Sequence, residues 1–136
     1  MSLTNLGERN VLDDIFTNGN GLGAAFFIAL STTTPLEDGT NFTEPVGNAY
    51  ARVSFAPGAN WTSAATASGL SSVENAAAIT FPTASGGSWG TVTYFGIYDA
   101  LTVGNLLYID SLNVSRLIAD GDPVEFAIGD LKIFLD

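Results

Sequence analysis

The longest apolar pattern in the chain lies between residues 88 and 112, and it predicts a central β-hairpin. Residues 88–98, SWGTVTYFGIY, carry aromatic and β-branched side chains on both faces, as in a strand that is covered on both sides. A break at 99–104 ends in Gly104, which adopts a positive φ without steric cost, and a second apolar run follows at 106–112. We therefore predict two antiparallel strands around which the rest of the chain packs.

Residues 3–16, LTNLGERNVLDDIF, give the only good helical pattern. Their apolar side chains form one stripe at helical spacing, made by Val11, Leu12, Ile15 and Phe16. Asn5 with Glu8 has the spacing of a capping box, although Ser2 and Thr4 are alternative caps.

Short apolar segments elsewhere predict further strands, at 23–31, 49–55, 75–81, 124–128 and 131–136. Residues 31–48 are polar and predict the longest loop, whereas 58–74, rich in Gly, Ala, Ser and Thr, predict an extended arm or irregular edge around Trp61. Seven or eight strands without internal repeats favour an all-β, antiparallel β-sandwich of jelly-roll or immunoglobulin-like type, with one short N-terminal α-helix. We expect residues 1–136 to form a single domain.

The composition changes the expected partners. Charged residues make up 13% of the chain, about half the usual share, and apolar residues 46%. A net charge of −10 with only four basic residues argues against nucleic-acid binding and against anionic membrane surfaces. A surface so poor in charge favours contact with other protein.

The sequence offers little for catalysis, because it has no Cys and no His. The acidic loop 31–48 and the Asp120-Gly121-Asp122 turn contain calcium-type ligands, but their spacing fits no EF-hand, so we expect solvated loops. Asp13 and Asp14 are adjacent on a helix and point in different directions. We expect no catalytic residue, no cofactor and no metal site, and hence no enzyme.

Targeting signals are also missing from the sequence. The start, MSLTNLGER, lacks the features of a signal peptide, and no apolar run has the length of a membrane span. We expect a soluble protein made in the cytoplasm.

Aromatic side chains suggest one further alternative, a glycan-binding, lectin-like module. Tyr50, Trp61, Tyr94 and Tyr98 have rings of the kind that stack on sugars. Packing in the core or in an interface is the more usual fate of such rings.

Four segments together resemble a family of small virion proteins of tailed bacteriophages. They are SLTNLGERNVLDDIF, FIALSTTTPLEDGTNFTEPVGNAYARV, NAAAITFPTASGGSWGTVTYFGIYDA and VEFAIGDLKIFLD, and they span nearly the whole chain. Members of this family are described variously as tail fibre or minor structural proteins and as capsid cement or decoration proteins. The resemblance implies a β-sandwich structural subunit without catalytic residues.

From this resemblance we expect a capsid cement protein at the capsid surface of the virion. It would clamp major capsid protein subunits and self-associate as a homo-oligomer, a dimer or trimer. A tail or tail-fibre subunit is the alternative. As interface residues the sequence suggests Leu3 and Leu6, which extend beyond the helical stripe, Trp61 in the predicted arm, and Phe134 on the polar face of the last strand.

Overall fold

Nine strands form three antiparallel sheets in the computed structural model, which describes residues 3–20 and 25–135. One helix, α1 (Asn5–Leu12), precedes them and continues into a π-helical turn at Asp13–Thr17. The strands are β1 (Phe27–Ser31), β2 (Val53–Ser54), β3 (Ala65–Ala67), β4 (Leu70–Glu74), β5 (Ile79–Phe81), β6 (Gly90–Tyr98), β7 (Leu106–Ile118), β8 (Val124–Phe126) and β9 (Lys132–Leu135). The predicted fold class, mostly β in a sandwich-like arrangement with one short N-terminal helix, is confirmed.

The predicted central hairpin is present as β6 and β7, in a four-stranded sheet of order β2-β1-β6-β7. Gly104 has a φ of 70° in the connection, as the sequence suggested. Strand β7 is longer than predicted, since it continues beyond residue 112 to Ile118. The register shifts between Val92 and Tyr94, which marks a bulge in the ladder and lets the pairing resume further along β7.

The prediction of an extended arm or irregular edge at 58–74 is wrong for residues 65–74. These residues contain the β3–β4 hairpin, and β4 also pairs with β9 to complete a three-stranded sheet. Ser68 and Gly69 both have positive φ, which closes a tight turn between two short strands. The sequence pattern did not predict this strand pair, because its small residues lack the alternating large apolar side chains that indicate a strand.

Other predicted strands are present but shorter. The segment 49–55 retains only Val53–Ser54. Its first residue, Ala49, and the two residues before it, Gly47 and Asn48, have positive φ and lie outside the β region. The strand predicted at 23–31 begins at Phe27, and residues 21–24 lie outside the described residues.

Only Ile79–Phe81 of the predicted strand 75–81 forms a strand, and an isolated bridge to Trp61 is made at its start by Asn75. Its side chain is fully buried, donates to the carbonyls of Ala77 and Ala127 at 2.9 Å, and accepts from the Leu131 N–H at 3.0 Å. These bonds replace a regular ladder and tie the start of the segment to the chain between β8 and β9.

The helix is capped by Thr4, whose Oγ1 accepts from the Gly7 N–H at 3.2 Å, so Asn5 is the first helical residue. Leu12 and Phe16 of the predicted stripe are buried. Phe16 packs against three other aromatic side chains, with ring centroid distances of 5.5 Å to Phe26, 4.9 Å to Trp61 and 5.2 Å to Tyr108. Phe16 therefore ties the end of the helical segment to the four-stranded sheet through aromatic packing, while α1 itself lies against β3 and β4.

A loop residue covers the opposite side of this sheet at Gly96. Phe42 packs edge-on against Tyr98, with ring centroids 5.7 Å apart, and lies directly over the backbone of Gly96. A Cβ at Gly96 would come within 2.7 Å of both Phe42 and Leu106, which is closer than packed carbon atoms tolerate. Glycine at this position thus allows the polar loop to seat on the sheet.

We expect Gly96→Ala to lower the free energy of unfolding by about 1–3 kcal/mol, because the added methyl group overpacks a close contact. Gly7→Ala is the matched control. It lies on α1 with its nearest neighbours at an ordinary 3.5 Å, and should raise stability by up to about 1 kcal/mol through helix propensity. Urea unfolding followed by circular dichroism measures both; equal effects of the two variants would contradict the packing argument.

Candidate assembly surfaces

One exposed apolar surface lies on the three-stranded sheet, on the side turned away from α1. The register places Ala67 beside Leu70, and it places Ala65, Ser72 and Phe134 in one row across β3, β4 and β9. Leu70 and Phe134 are 46% and 42% exposed. We call these five residues the outer sheet face.

The opposite side of the same sheet packs inside the protein. Thr66 and Ser71 are bonded to each other there at 2.9 Å, and Arg9 of α1 donates to Thr66 at 2.7 Å. Val73 and Ile133 on this side belong to the core. Alternation along the strands therefore leaves the outer sheet face to solvent.

The four residues suggested as contact points lie in different surroundings. Phe134 is exposed on the outer sheet face, and Leu3 and Leu6 are 51% and 59% exposed at the start of α1. Trp61 is only 2% exposed, because its ring packs against Phe16 and Phe55 in the chain's own core. The structure thus presents three of the four side chains at the surface and leaves Trp61 no surface for a partner.

A second surface is built by two loops that Arg52 holds together. Its guanidinium donates to both carboxylate oxygens of Glu44, at 3.0 and 2.9 Å, and to two backbone carbonyls of the β6–β7 connection, those of Ala100 and Val103, at 2.8 and 2.7 Å. It also lies 3.5 Å above the ring of Tyr98. We call the segments 44–52 and 101–103 the Arg52 platform.

The rim of the Arg52 platform is apolar. Val46 and Val103 are 91% and 84% exposed, Leu101 is 54% exposed, and these loops border a shallow groove of about 470 Å³. Val103 has a φ of 56°, an unusual conformation for a β-branched residue, which its carbonyl bond to Arg52 helps to hold. Such strain is most often kept where a surface has a use.

The two charged side chains of the Arg52 platform, Arg52 and Glu44, pair with each other. Burial by itself lowers the pKa of Arg52, but hydrogen bonding and attraction to Glu44 outweigh it, so the pKa of Arg52 is raised. Tyr50 donates to Glu44 at 2.7 Å and accepts from the Leu30 N–H at 3.0 Å; burial chiefly raises its pKa. The polar groups of the platform are thus bonded to one another, and what it offers a partner is mainly its apolar rim.

The glycan alternative gains no support from this arrangement. Tyr50 packs edge-on against Trp89, Tyr98 lies beneath Arg52, and Trp61 is buried in the core. Three of the four candidate rings therefore have their faces or edges occupied by the chain itself, which leaves no stacked pair for a sugar.

The described residues offer few candidates for metal binding. Among residues 3–20 and 25–135, no group of three or more Asp and Glu side chains is placed to hold a metal ion. Asp38 and Asp122 instead accept hydrogen bonds within their own turns. None of the helices in the same ranges is long and apolar enough to cross a membrane.

A mostly β chain that presents two exposed apolar patches, and whose loops are held by internal hydrogen bonds, has the features of a structural protein. Residues 2–134 match the family Gp80, described as Podophage GP4 fiber I protein gp80. Since the match spans almost the whole sequence, the chain belongs to this family of phage virion structural proteins. A search of the curated proteins gave no match. The family's description is that of a fibre protein, so it favours the tail-fibre alternative over capsid cement.

Arg52→Lys should lower the free energy of unfolding by about 2–3 kcal/mol, because an ammonium group keeps the charge but cannot bond Glu44 and two carbonyls at once. Lys132→Met is the matched control, since the Lys132–Glu74 pair, at 3.2 Å, is more than one-third exposed on both sides. Its loss should cost less than about 1 kcal/mol. Chemical denaturation compares the two variants, and a control loss as large as that of Arg52→Lys would argue against the platform's internal bonding.

Stability should fall as the pH rises above about 10, because burial raises the pKa of Tyr50, Tyr98 and Tyr108 above their ordinary value of 10.0. In the unfolded chain these phenols ionise near that value, whereas the folded chain keeps them protonated at higher pH. Their contribution is therefore complete below pH 10 and disappears as the pH climbs through the folded-state pKa values. Thermal unfolding at several alkaline pH values checks this, and Tyr50→Phe should flatten the decline.

Proposed function

We propose that this chain is a structural subunit of a phage tail fibre and that it works by binding other virion proteins, without catalysis. The observation that carries the proposal is the family match over residues 2–134, whose description names a fibre protein. The two surfaces support it, since both present apolar side chains and little unpaired polar chemistry.

The partners in this proposal are copies of the same chain and a neighbouring virion protein. Contact through apolar patches suits such partners, because an acidic chain of net charge −10 gains little from other acidic surfaces. The capsid cement function, with the major capsid protein as partner, predicts a different location in the virion.

Location in the virion tests the proposal. We expect antibodies against this chain, visualised by immunogold electron microscopy, to label the tail end of purified phage particles. Antibodies against the major capsid protein provide the control pattern. Label spread over the whole head would refute the fibre assignment and favour a cement protein at the capsid surface.

The non-enzymatic part of the proposal has its own assay. Incubation with bacterial surface polysaccharide should release no fragments. Turnover that a single Asp→Asn substitution abolishes would show that the chain is an enzyme after all.

A further inference from the structure

We propose that Asn18 is a site of spontaneous deamidation, in which the backbone nitrogen of Gly19 attacks the side chain of Asn18. The inference does not depend on where the protein lies in the virion. It rests on the sequence after the helical segment 5–17, on the free reacting groups of Asn18 and Gly19, and on the hydrogen bonds that hold the next asparagine.

Two Asn-Gly pairs follow the helical segment, Asn18-Gly19 and Asn20-Gly21. The backbone nitrogen after an asparagine can reach the carbonyl carbon of its side chain and close a five-membered ring. Glycine favours this step, because it has no Cβ to obstruct the approach. The sequence alone does not distinguish the two pairs, so any difference in their reactivity comes from the fold.

Both reacting groups of the first pair are free. Within residues 3–20 and 25–135, neither the Gly19 N–H nor the side-chain amide of Asn18 makes a hydrogen bond. Asn18 is exposed and lines an open groove of about 580 Å³, so water reaches its side chain. Ring closure at Asn18 therefore breaks no hydrogen bond of either reacting group.

The second asparagine is held in place. Asn20 donates from its side-chain amide to Oδ1 of Asp14 and from its backbone N–H to the Asp14 carbonyl, both at 2.9 Å. Ring closure at Asn20 requires its side chain to leave the Asp14 carboxylate, and the loss of that bond raises the barrier. The folded chain therefore protects Asn20 and leaves Asn18 reactive.

The reaction needs no reactant other than water. The Gly19 nitrogen forms a bond to Cγ of Asn18 and gives up its proton, while the bond from Cγ to Nδ2 breaks and ammonia leaves with that proton. Water then opens the resulting cyclic imide at one of its two bonds from carbonyl carbon to nitrogen. Attack at Cγ gives aspartate, and attack at the backbone carbonyl carbon gives isoaspartate. Either product adds one negative charge to the net charge of −10.

Neither product suits this turn. A carboxylate at residue 18 lies at the C-terminal end of the helical segment, where the helix dipole disfavours negative charge, and it shares the groove with Asp14. Isoaspartate also lengthens the main chain by one methylene group, two residues beyond the Phe16 carbonyl that accepts from the Gly58 N–H at 2.7 Å. We expect the modified chain to unfold at a lower denaturant concentration than the fresh chain.

Tandem mass spectrometry of peptides from the aged chain tests the proposal. The purified chain is incubated at mildly alkaline pH, once folded and once in concentrated urea, and conversion of amide to acid is followed at residues 18 and 20. In the folded chain Asn18 should react at least about fivefold faster than Asn20, and in urea the two rates should converge. An Asn18 that stays intact in the folded chain while it reacts in urea, or equal rates at both residues in the folded chain, would overturn the proposal.

Two substitutions separate the two sites. Asn18→Gln should nearly abolish modification at residue 18, because glutamine has to close a larger ring. Asp14→Ala removes the acceptor that holds Asn20, so Asn20 should react at least about threefold faster, while the rate at Asn18 changes less. Circular dichroism verifies that both variants are folded. An Asn20 rate that Asp14→Ala leaves unchanged would contradict the argument from hydrogen bonding.

The identity of the product tests the role of Gly19. Direct hydrolysis of the side chain by water gives aspartate alone, whereas ring closure through the Gly19 nitrogen gives aspartate and isoaspartate together. Electron-transfer fragmentation distinguishes the two residues and should show isoaspartate at residue 18 of the aged, folded chain. Aspartate as the sole product would show that Gly19 is not the nucleophile and would refute the mechanism.

Discussion

The aromatic packing around Phe16 is the interaction on which the rest of the structure depends. Phe16 is fully buried and contacts three rings: that of Phe26 directly before β1, that of Tyr108 on β7, and that of Trp61 in the segment before β3. One helical side chain thus connects the helix, the four-stranded sheet and the path into the three-stranded sheet. Because Trp61 is fixed in this way, β3 and β4 follow on a defined course, and the outer sheet face has a rigid position.

The shortage of cations shapes what remains of the surface. All four basic residues make contacts within the chain: Arg9 with Thr66, Arg52 with Glu44, Arg116 with the Glu125 carbonyl, and Lys132 with Glu74. The three arginines bond backbone or hydroxyl oxygens of other segments, and Arg52 bonds two backbone carbonyls at once. The excess of acids is then left at the surface, and apolar patches become the places where another chain can approach.

Sequence reasoning succeeded where large side chains alternate and failed where small ones do. The hairpin β6–β7 and the buried stripe of α1 follow from periodicity, because each apolar side chain there needs cover. The β3–β4 hairpin carries mostly small side chains, Ala, Ser and Thr, instead. Periodicity therefore could not predict these two strands, nor the outer sheet face that they form beside Phe134 of β9. The Arg52 platform depends on positive φ at Asn48, Ala49 and Val103, which no composition or spacing predicts.

Small, weak contact surfaces are an advantage for a subunit that has to be made before it is assembled. A large apolar patch on a chain of net charge −10 would drive association wherever copies met, whereas a face of alanine, serine and two larger side chains offers only a small apolar area. The strained rim of the Arg52 platform is also held from within, because Arg52 bonds the Val103 carbonyl and is itself fixed by Glu44. The shape of this rim is therefore fixed in the chain alone, and a contact there would lose less conformational entropy than one that has to order a flexible loop.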